Sequence, residues 1–226
     1  MTLKFYYHPM SQPCRAVQAF LDLFEIPYET IEINLGKGDQ KSPEFLAVNP
    51  LGQIPCIDDD GFRLGESDAI LKYLIATRKV GESFYPSDPK ARSGVDVYYP
   101  YHHSVIRPKF SKVLHWQYRV LFPNEHFISE EVITQEAEDT LKKLSDCYLG
   151  DKKYINGDEL TIADLSAISE LTHVYFTTDL DFNKFPRVKA YVERCLENPV
   201  IQKLTEPVKA FPAMIKAFIA SKEKKE

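Results

Sequence analysis

Three candidates for proton donation or nucleophilic attack lie near the first strand: Tyr7, Ser11 and Cys14. Ser11 directly precedes Gln12-Pro13, and this order reads as a helix start, because serine is a favoured N-cap and proline is tolerated in the first turn. Its hydroxyl therefore serves either the helix backbone or a bound group. Cys14 lies three residues on, either a packed small hydrophobe or a nucleophile. Tyr7 ends an alternating stretch and reads as a strand aromatic. A second group, Glu66-Ser67, opens another helix. Such an end presents free backbone N–H groups and a partial positive charge, which suit a carboxylate ligand.

The elements that must position these groups follow from local pattern. Leu3, Phe5 and Tyr7 alternate with Lys4 and Tyr6, as in a strand. After Ser11, the apolar residues Ala16, Val17, Phe20, Leu21 and Phe24 recur at helical spacing, and Glu25-Ile26-Pro27 ends that helix. Tyr28 to Ile33 reads as a second strand, completing a βαβ unit. A polar loop from Asn34 to Ser42 and a short helix from Pro43 to Val48 lead to the turn Asn49-Pro50-Leu51-Gly52. Ile54 to Ile57 is a strand with Pro55 at its entrance, where a missing N–H does least harm. Asp58 to Gly61 turns into a strand at Phe62 to Leu64, and the helix from Gly65-Glu66-Ser67 runs to about Arg78.

Beyond a linker at Lys79–Ser87, whose Phe84-Tyr85-Pro86 is expected to clip the two parts together, the pattern is helical. A long helix from Pro89 toward Phe122 is interrupted by Pro100 and Pro108 and should bend or break. Pro108 disfavours a helical conformation at Arg107. Ser129 to Leu149 reads as one amphipathic helix. Thr161 and Asp164 have capping-box spacing, with Leu160 and Leu165 placed to staple the same helix start. Further helices are expected from Pro186 and over Val208 to Ala220, and a frayed tail over Lys222 to Glu226. The expected organisation is residues 1–78, linker 79–88, and an all-α part over 89–226.

Bulk composition narrows the function. A net charge of −5 argues against nucleic-acid binding. No apolar run reaches the ~18 residues of a membrane span, and the start of the chain lacks a signal-peptide pattern. The four cysteines are scattered, without metal-ligand spacing. Free thiols in a reducing cytoplasm, no metal and no membrane partner are expected.

The stretch Asn49 to Ile70, NPLGQIPCIDDDGFRLGESDAI, resembles the second half of the thioredoxin-like domain of the glutathione transferases. The string SQPCRAV from Ser11 looks like that of the theta class, and TIADL resembles the folding motif of the same family. The similarity covers nearly the whole chain and is strongest from Leu3 to Tyr73. It implies the glutathione transferase fold, an α/β thioredoxin-like N-terminal domain followed by an all-α helical domain that carries the electrophile site. It implies conjugation of glutathione, as co-substrate, to small electrophiles, with peroxidase activity on organic hydroperoxides as an additional expectation.

The same resemblance implies the site. Ser11 is the catalytic residue, and Arg107 aligns with an arginine that faces the glutathione sulfur. Glutathione-binding residues are Gln12, Gln40, Lys41, Gln53, Ile54, Pro55, Glu66 and Ser67. Pro55 is expected to be cis, with the residue before it pairing with the cysteinyl unit, while Glu66 and Ser67 hold the γ-glutamyl end. Theta enzymes commonly have histidine at the position of Gln40 and lysine at that of Gln53, so the grip on the glycyl carboxylate is expected to be weaker here. The short charged tail is expected to leave the electrophile pocket open. A two-fold homodimer is expected, with the Glu66–Tyr73 helix facing the helix from Pro89 of the other copy. The competing readings are a thiol oxidoreductase using Cys14 and a non-catalytic glutathione- or ligand-binding member.

Overall fold

The computed structural model describes residues 3–121 and 129–223. Strands β1 (Leu3–Tyr7), β2 (Tyr28–Glu32), β3 (Cys56–Asp59) and β4 (Phe62–Gly65) form one mixed sheet in the order β2-β1-β3-β4. β1 and β2 are parallel and joined through α1 (Gln12–Leu23), while β3 runs antiparallel to β1 and β4. This is the expected thioredoxin-like arrangement.

The period-two pattern of β1 sorts its side chains to two cores. Leu3 and Phe5 are buried on one side, as are Val17 and Phe20 of α1 and Ile70, Leu71 and Leu74 of α3 (Ser67–Arg78). Tyr6 points the other way and packs on Phe45 of α2 (Pro43–Leu46), in a smaller cluster with Ile33 and Cys56. The loop from Asn34 tightens into two 3₁₀ turns, Leu35–Lys37 and Asp39–Lys41.

The remaining helices are α4 (Pro89–Tyr101), α5 (Arg107–Gln117), α6 (Glu130–Lys143), α7 (Ile162–Thr177), α8 (Pro186–Leu196) and α9 (Pro199–Glu223). Asp88 Oδ1 caps α4 by accepting from Ala91 N–H at 2.8 Å. The linker packs tightly: Phe84 meets the rings of Phe20 and Phe24, and Tyr85 OH donates to Asp96 Oδ1 of α4 at 2.8 Å. By internal contacts the chain forms two compact units, one running to Pro100 with Lys152–Ser169, the other being the remainder.

Several local expectations are corrected. Pro108 does not force Arg107 out of the helical region, since Arg107 has φ −59° and ψ −49°. A π turn at His102–Ile106 precedes it, and the Arg107 N–H reaches back to the His102 carbonyl. The wider turn makes room for the proline ring, and the helical conformation continues through it without a break. The helix begun by Ser129 likewise ends in a π turn at Leu144–Leu149. α9 begins nine residues before the expected Val208, because Asn198 Oδ1 accepts from Val200 N–H at 2.9 Å and caps it. It then continues through Pro207 and Pro212, each of which removes one hydrogen bond without ending the helix. Lys222 and Glu223 belong to α9; the rest of the expected tail and Phe122 lie outside the described residues. At α7 the capping pair differs in detail. Asp164, fully buried, accepts from Thr161 N–H at 2.9 Å, from the Thr161 hydroxyl at 2.8 Å and from Ile155 N–H at 2.8 Å. The threonine hydroxyl thus donates to the carboxylate.

Candidate active site

Sheet register brings the singled-out residues of the first unit to one end. Tyr7 at the end of β1 pairs with Glu32 at the end of β2. Tyr6 pairs with Cys56 at the start of β3, and Cys56 with Gly65 at the end of β4. The segments bearing Ser11-Gln12, Gln40-Lys41, Gln53-Ile54-Pro55 and Glu66-Ser67 therefore all leave the sheet at the same end.

Ser11 has an extended backbone, φ −77° and ψ 118°, at the N-cap of α1, yet its side chain makes no capping hydrogen bond. Its carbonyl accepts from Arg15 N–H at 3.0 Å, and its N–H donates to His8 O at 3.0 Å. The backbone is fixed and the half-buried hydroxyl is left over. Arg15, which the pattern did not single out, braces the segment that carries Ser11. It is 3% exposed; Nη1 donates to Pro9 O at 3.2 Å and Nη2 to Ser169 O at 2.6 Å. The signal was a charged residue between Cys14 and Ala16 on a buried helix face. Cys14 is fully buried, and Tyr7 stacks on Phe5. Burial raises the Tyr7 phenol pKa and keeps it neutral.

The turn after Asn49 is held by Asn49 itself, which is 8% exposed. Its Nδ2 donates to Gln53 O at 2.7 Å, and its Oδ1 accepts from Leu51 N–H at 3.2 Å. The Ile54–Pro55 peptide is cis, and Ile54 lies just ahead of the β1–β3 ladder. Gly52 has φ +62°, and a Cβ there would stand 2.9 Å from Gln40 O, so the Gln40-Lys41 turn presses directly on this one. Gln40 Oε1 is buried without a hydrogen-bond partner among the described residues, while Lys41 and Gln53 are exposed. Glu66 adopts φ 65° and ψ 117°, unusual for a residue with a Cβ and costing on the order of 1–3 kcal/mol. This turn delivers the buried Ser67 to the first position of α3, with the Glu66 side chain exposed and not used as a cap. Strain of this kind collects where a ligand is held.

Arg107 belongs to the second unit, where Nη1 donates to Glu170 Oε1 at 2.7 Å. That carboxylate is 1% exposed. A cavity of ≈ 500 Å³ in the same unit is walled by Tyr118, Phe176, Pro212, Ile215 and Ile219, and contains none of the residues singled out from sequence. Among the described residues no cluster of three or more His, Cys, Asp or Glu side chains is arranged to hold a metal, and no helix is long and apolar enough to cross a membrane.

The family models for the glutathione S-transferase N-terminal domain and C-terminal domain match residues 1–76 and 109–199. Glutathione S-transferase theta-1 of Mus musculus is 36% identical over 86% of this chain and 82% of its own length. The theta-1 enzyme of Homo sapiens is 39% identical over 76% of this chain and 73% of its own. Among solved structures, a human theta-class enzyme in complex with the glutathione conjugate of 1-menaphthyl sulfate superposes with a TM-score of 0.86 at 34% identity, covering 94% of this chain and 89% of that one.

Proposed function

The chain belongs to the glutathione S-transferase family and resembles its theta class, and from that membership we propose that Ser11 activates the glutathione thiol for attack on small electrophiles. A free thiol has a pKa near ~8.5 and is mostly protonated at neutral pH. Lowering it by about two units needs ~2.7 kcal/mol of selective thiolate stabilisation. A hydroxyl donated to an anionic acceptor, with the α1 N-terminus behind it, supplies that order of energy. The thiolate then attacks the electrophilic carbon; the C–S bond forms, the leaving-group bond breaks, and the halide or sulfate departs with the electron pair. Organic hydroperoxides are a second substrate class, reduced to alcohol and water as two glutathiones become the disulfide.

The observation that carries this reading is the Ser11 hydroxyl, placed at a helix start yet spending no hydrogen bond on the helix. Within the proposal, Ile54 offers backbone groups to the cysteinyl unit. Glu66, Ser67 and the α3 N-terminus hold the γ-glutamyl end. Gln12, Gln40, Lys41 and Gln53 line the remainder, with Pro55 fixing the approach of Ile54. Residues 89–226 supply the electrophile site, with Arg107 as a charge that favours anionic leaving groups. Complete burial of Cys14 argues against a thiol-oxidoreductase reading.

The test is Ser11→Ala, with the bound thiolate followed by its ultraviolet absorbance against pH and Tyr7→Phe as control. The thiol pKa should rise toward its free value and kcat fall ~100-fold, with glutathione affinity within a few-fold and Tyr7→Phe unaffected. A fully active Ser11→Ala enzyme would overturn the serine assignment. Glutathione binding without turnover on a panel of alkyl halides, aryl halides, sulfate esters and hydroperoxides would leave a binding protein.

The proposal includes a two-fold homodimer. Its support within the first unit is exposed apolar surface, Phe62 at 49% and Val97 at 63%, with Phe62 stacked on Tyr73 of α3. None of the four cysteines is in a disulfide, which fits a reducing compartment, and we assign the protein to the cytoplasm.

A further inference from the structure

We propose that His8 is a positioning residue for Ser11, holding the Pro9-Met10 loop in place only while its imidazole is neutral, so that acid withdraws the serine from the thiol. The proposal rests on Ser11 being the activating group. His8 makes two contacts with the segment that carries Ser11. Its Nδ1 accepts from Met10 N–H at 3.2 Å, and its carbonyl accepts from Ser11 N–H at 3.0 Å. One residue thus fixes two successive loop amides, one through its ring and one through its backbone. From α1, Arg15 holds the intervening Pro9 carbonyl at 3.2 Å.

The ring contact has a direction. Nδ1 accepts only when unprotonated, so the loop selects the neutral tautomer with hydrogen on Nε2. Protonation turns Nδ1 into a donor facing the Met10 donor, and the bond is replaced by an opposed pair. Burial and charge pull in different directions. Half-burial of the ring disfavours the charged form most strongly, Glu32 on β2 favours the imidazolium, and the Arg15 guanidinium on α1 is engaged with the Pro9 carbonyl. The balance leaves the His8 pKa below its usual 6.5, so the loop is intact at neutral pH and is released on the acid side.

Activity and spectroscopy test this separately. In the wild-type protein, the acid limb of log kcat/KM should steepen from slope one to slope two below the His8 pKa, as thiol and imidazole both take up protons. His8→Asn keeps an acceptor near Nδ1 and cannot titrate; it should retain neutral-pH activity within two-fold and return the acid limb to slope one. His8→Leu removes the acceptor; kcat should fall ten-fold or more at every pH, with KM for glutathione within three-fold. Wild-type kcat and an unchanged profile in His8→Leu would overturn the proposal.

Amide chemical shifts of Met10 and Ser11 provide a readout that does not depend on catalysis. They should titrate together with the His8 ring in wild type and stay flat in His8→Asn. If they titrate while Ser11→Ala is fully active, the loop switch stands and the serine assignment fails. If they stay flat in wild type, this inference fails and the serine assignment is untouched.

Discussion

A buried carboxylate limits what Arg107 is free to do. Glu170 is 1% exposed, and the Arg107 guanidinium supplies it with a charged partner at 2.7 Å. Arg107→Ala should therefore lower stability as well as rate. Removing one partner of a buried pair costs several kcal/mol, and the 38% exposure of the arginine side chain reduces that to on the order of 2 kcal/mol. Arg107→Lys should restore most of the stability and part of the rate with a sulfate ester or alkyl halide. Wild-type rates in both variants would leave Arg107 with a structural role alone. His102 gives a second prediction. It is 4% exposed in the π turn, and burial, with His103 and Arg107 adding positive charge nearby, holds its pKa down at about 3. The unfolded chain binds this proton below about pH 6.5 and the folded chain does not, so stability is lost as pH falls through that window, at about 1.4 kcal/mol per unit. Between pH 7 and pH 5 this residue should cost ~2 kcal/mol in urea-unfolding free energy. His102→Phe should lose correspondingly less over the same range; an equal loss in both proteins would mean that another group carries the acid response.

At the scale of elements, the site depends on two turns pressed together. Gly52 needs its positive φ, and Gln40 O occupies the place a Cβ would take. Gly52→Ala should thus cost the left-handed penalty of about 1–2 kcal/mol and also push the Gln40-Lys41 turn outward. The expected signature is a lower Tm together with a several-fold higher KM for glutathione and little change in kcat. Gly61 is the control, because it has φ +91° in the β3–β4 turn and a methyl group added there would meet nothing within 4 Å. Gly61→Ala should lower Tm and leave KM unchanged. If both variants shift KM alike, or neither does, the pressed-turn account is wrong.

For the whole molecule, the prediction concerns association. Phe62 on β4 and Val97 on α4 place large apolar side chains in solvent; Phe62 stacks on Tyr73, and Lys72 pairs with Asp68 and with Asp96 next to Val97. Exposed large apolar side chains with charged groups nearby are common constituents of protein–protein interfaces. Sedimentation at micromolar concentration should show a species of about twice the 26.0 kDa chain mass. The double variant Phe62→Lys, Val97→Glu should sediment as a folded 26.0 kDa species with unchanged far-ultraviolet circular dichroism. A wild-type monomer would refute the homodimer, and a double variant that stays dimeric would place the interface elsewhere.

Sequence alone determined whatever depends on neighbours along the chain. The alternation of Leu3, Phe5 and Tyr7 requires a two-faced strand; Ser11-Gln12-Pro13 starts a helix; Asn49 to Ile70 spells strand, turn, strand and helix start. Local rules failed where wider geometry overrode a local preference. The π turn that keeps Arg107 helical beside Pro108, and the passage of α9 through Pro207 and Pro212 from its Asn198 cap, are such cases. Only the tertiary structure decided which groups are left with unspent hydrogen-bonding capacity. That the Ser11 hydroxyl caps nothing, that Arg15 is buried beneath the Pro9 carbonyl, and that Glu170 binds Arg107 follow from partners up to 154 residues apart in sequence. A residue type states what a side chain is able to bond; the packing of distant segments determines which of those bonds are already taken.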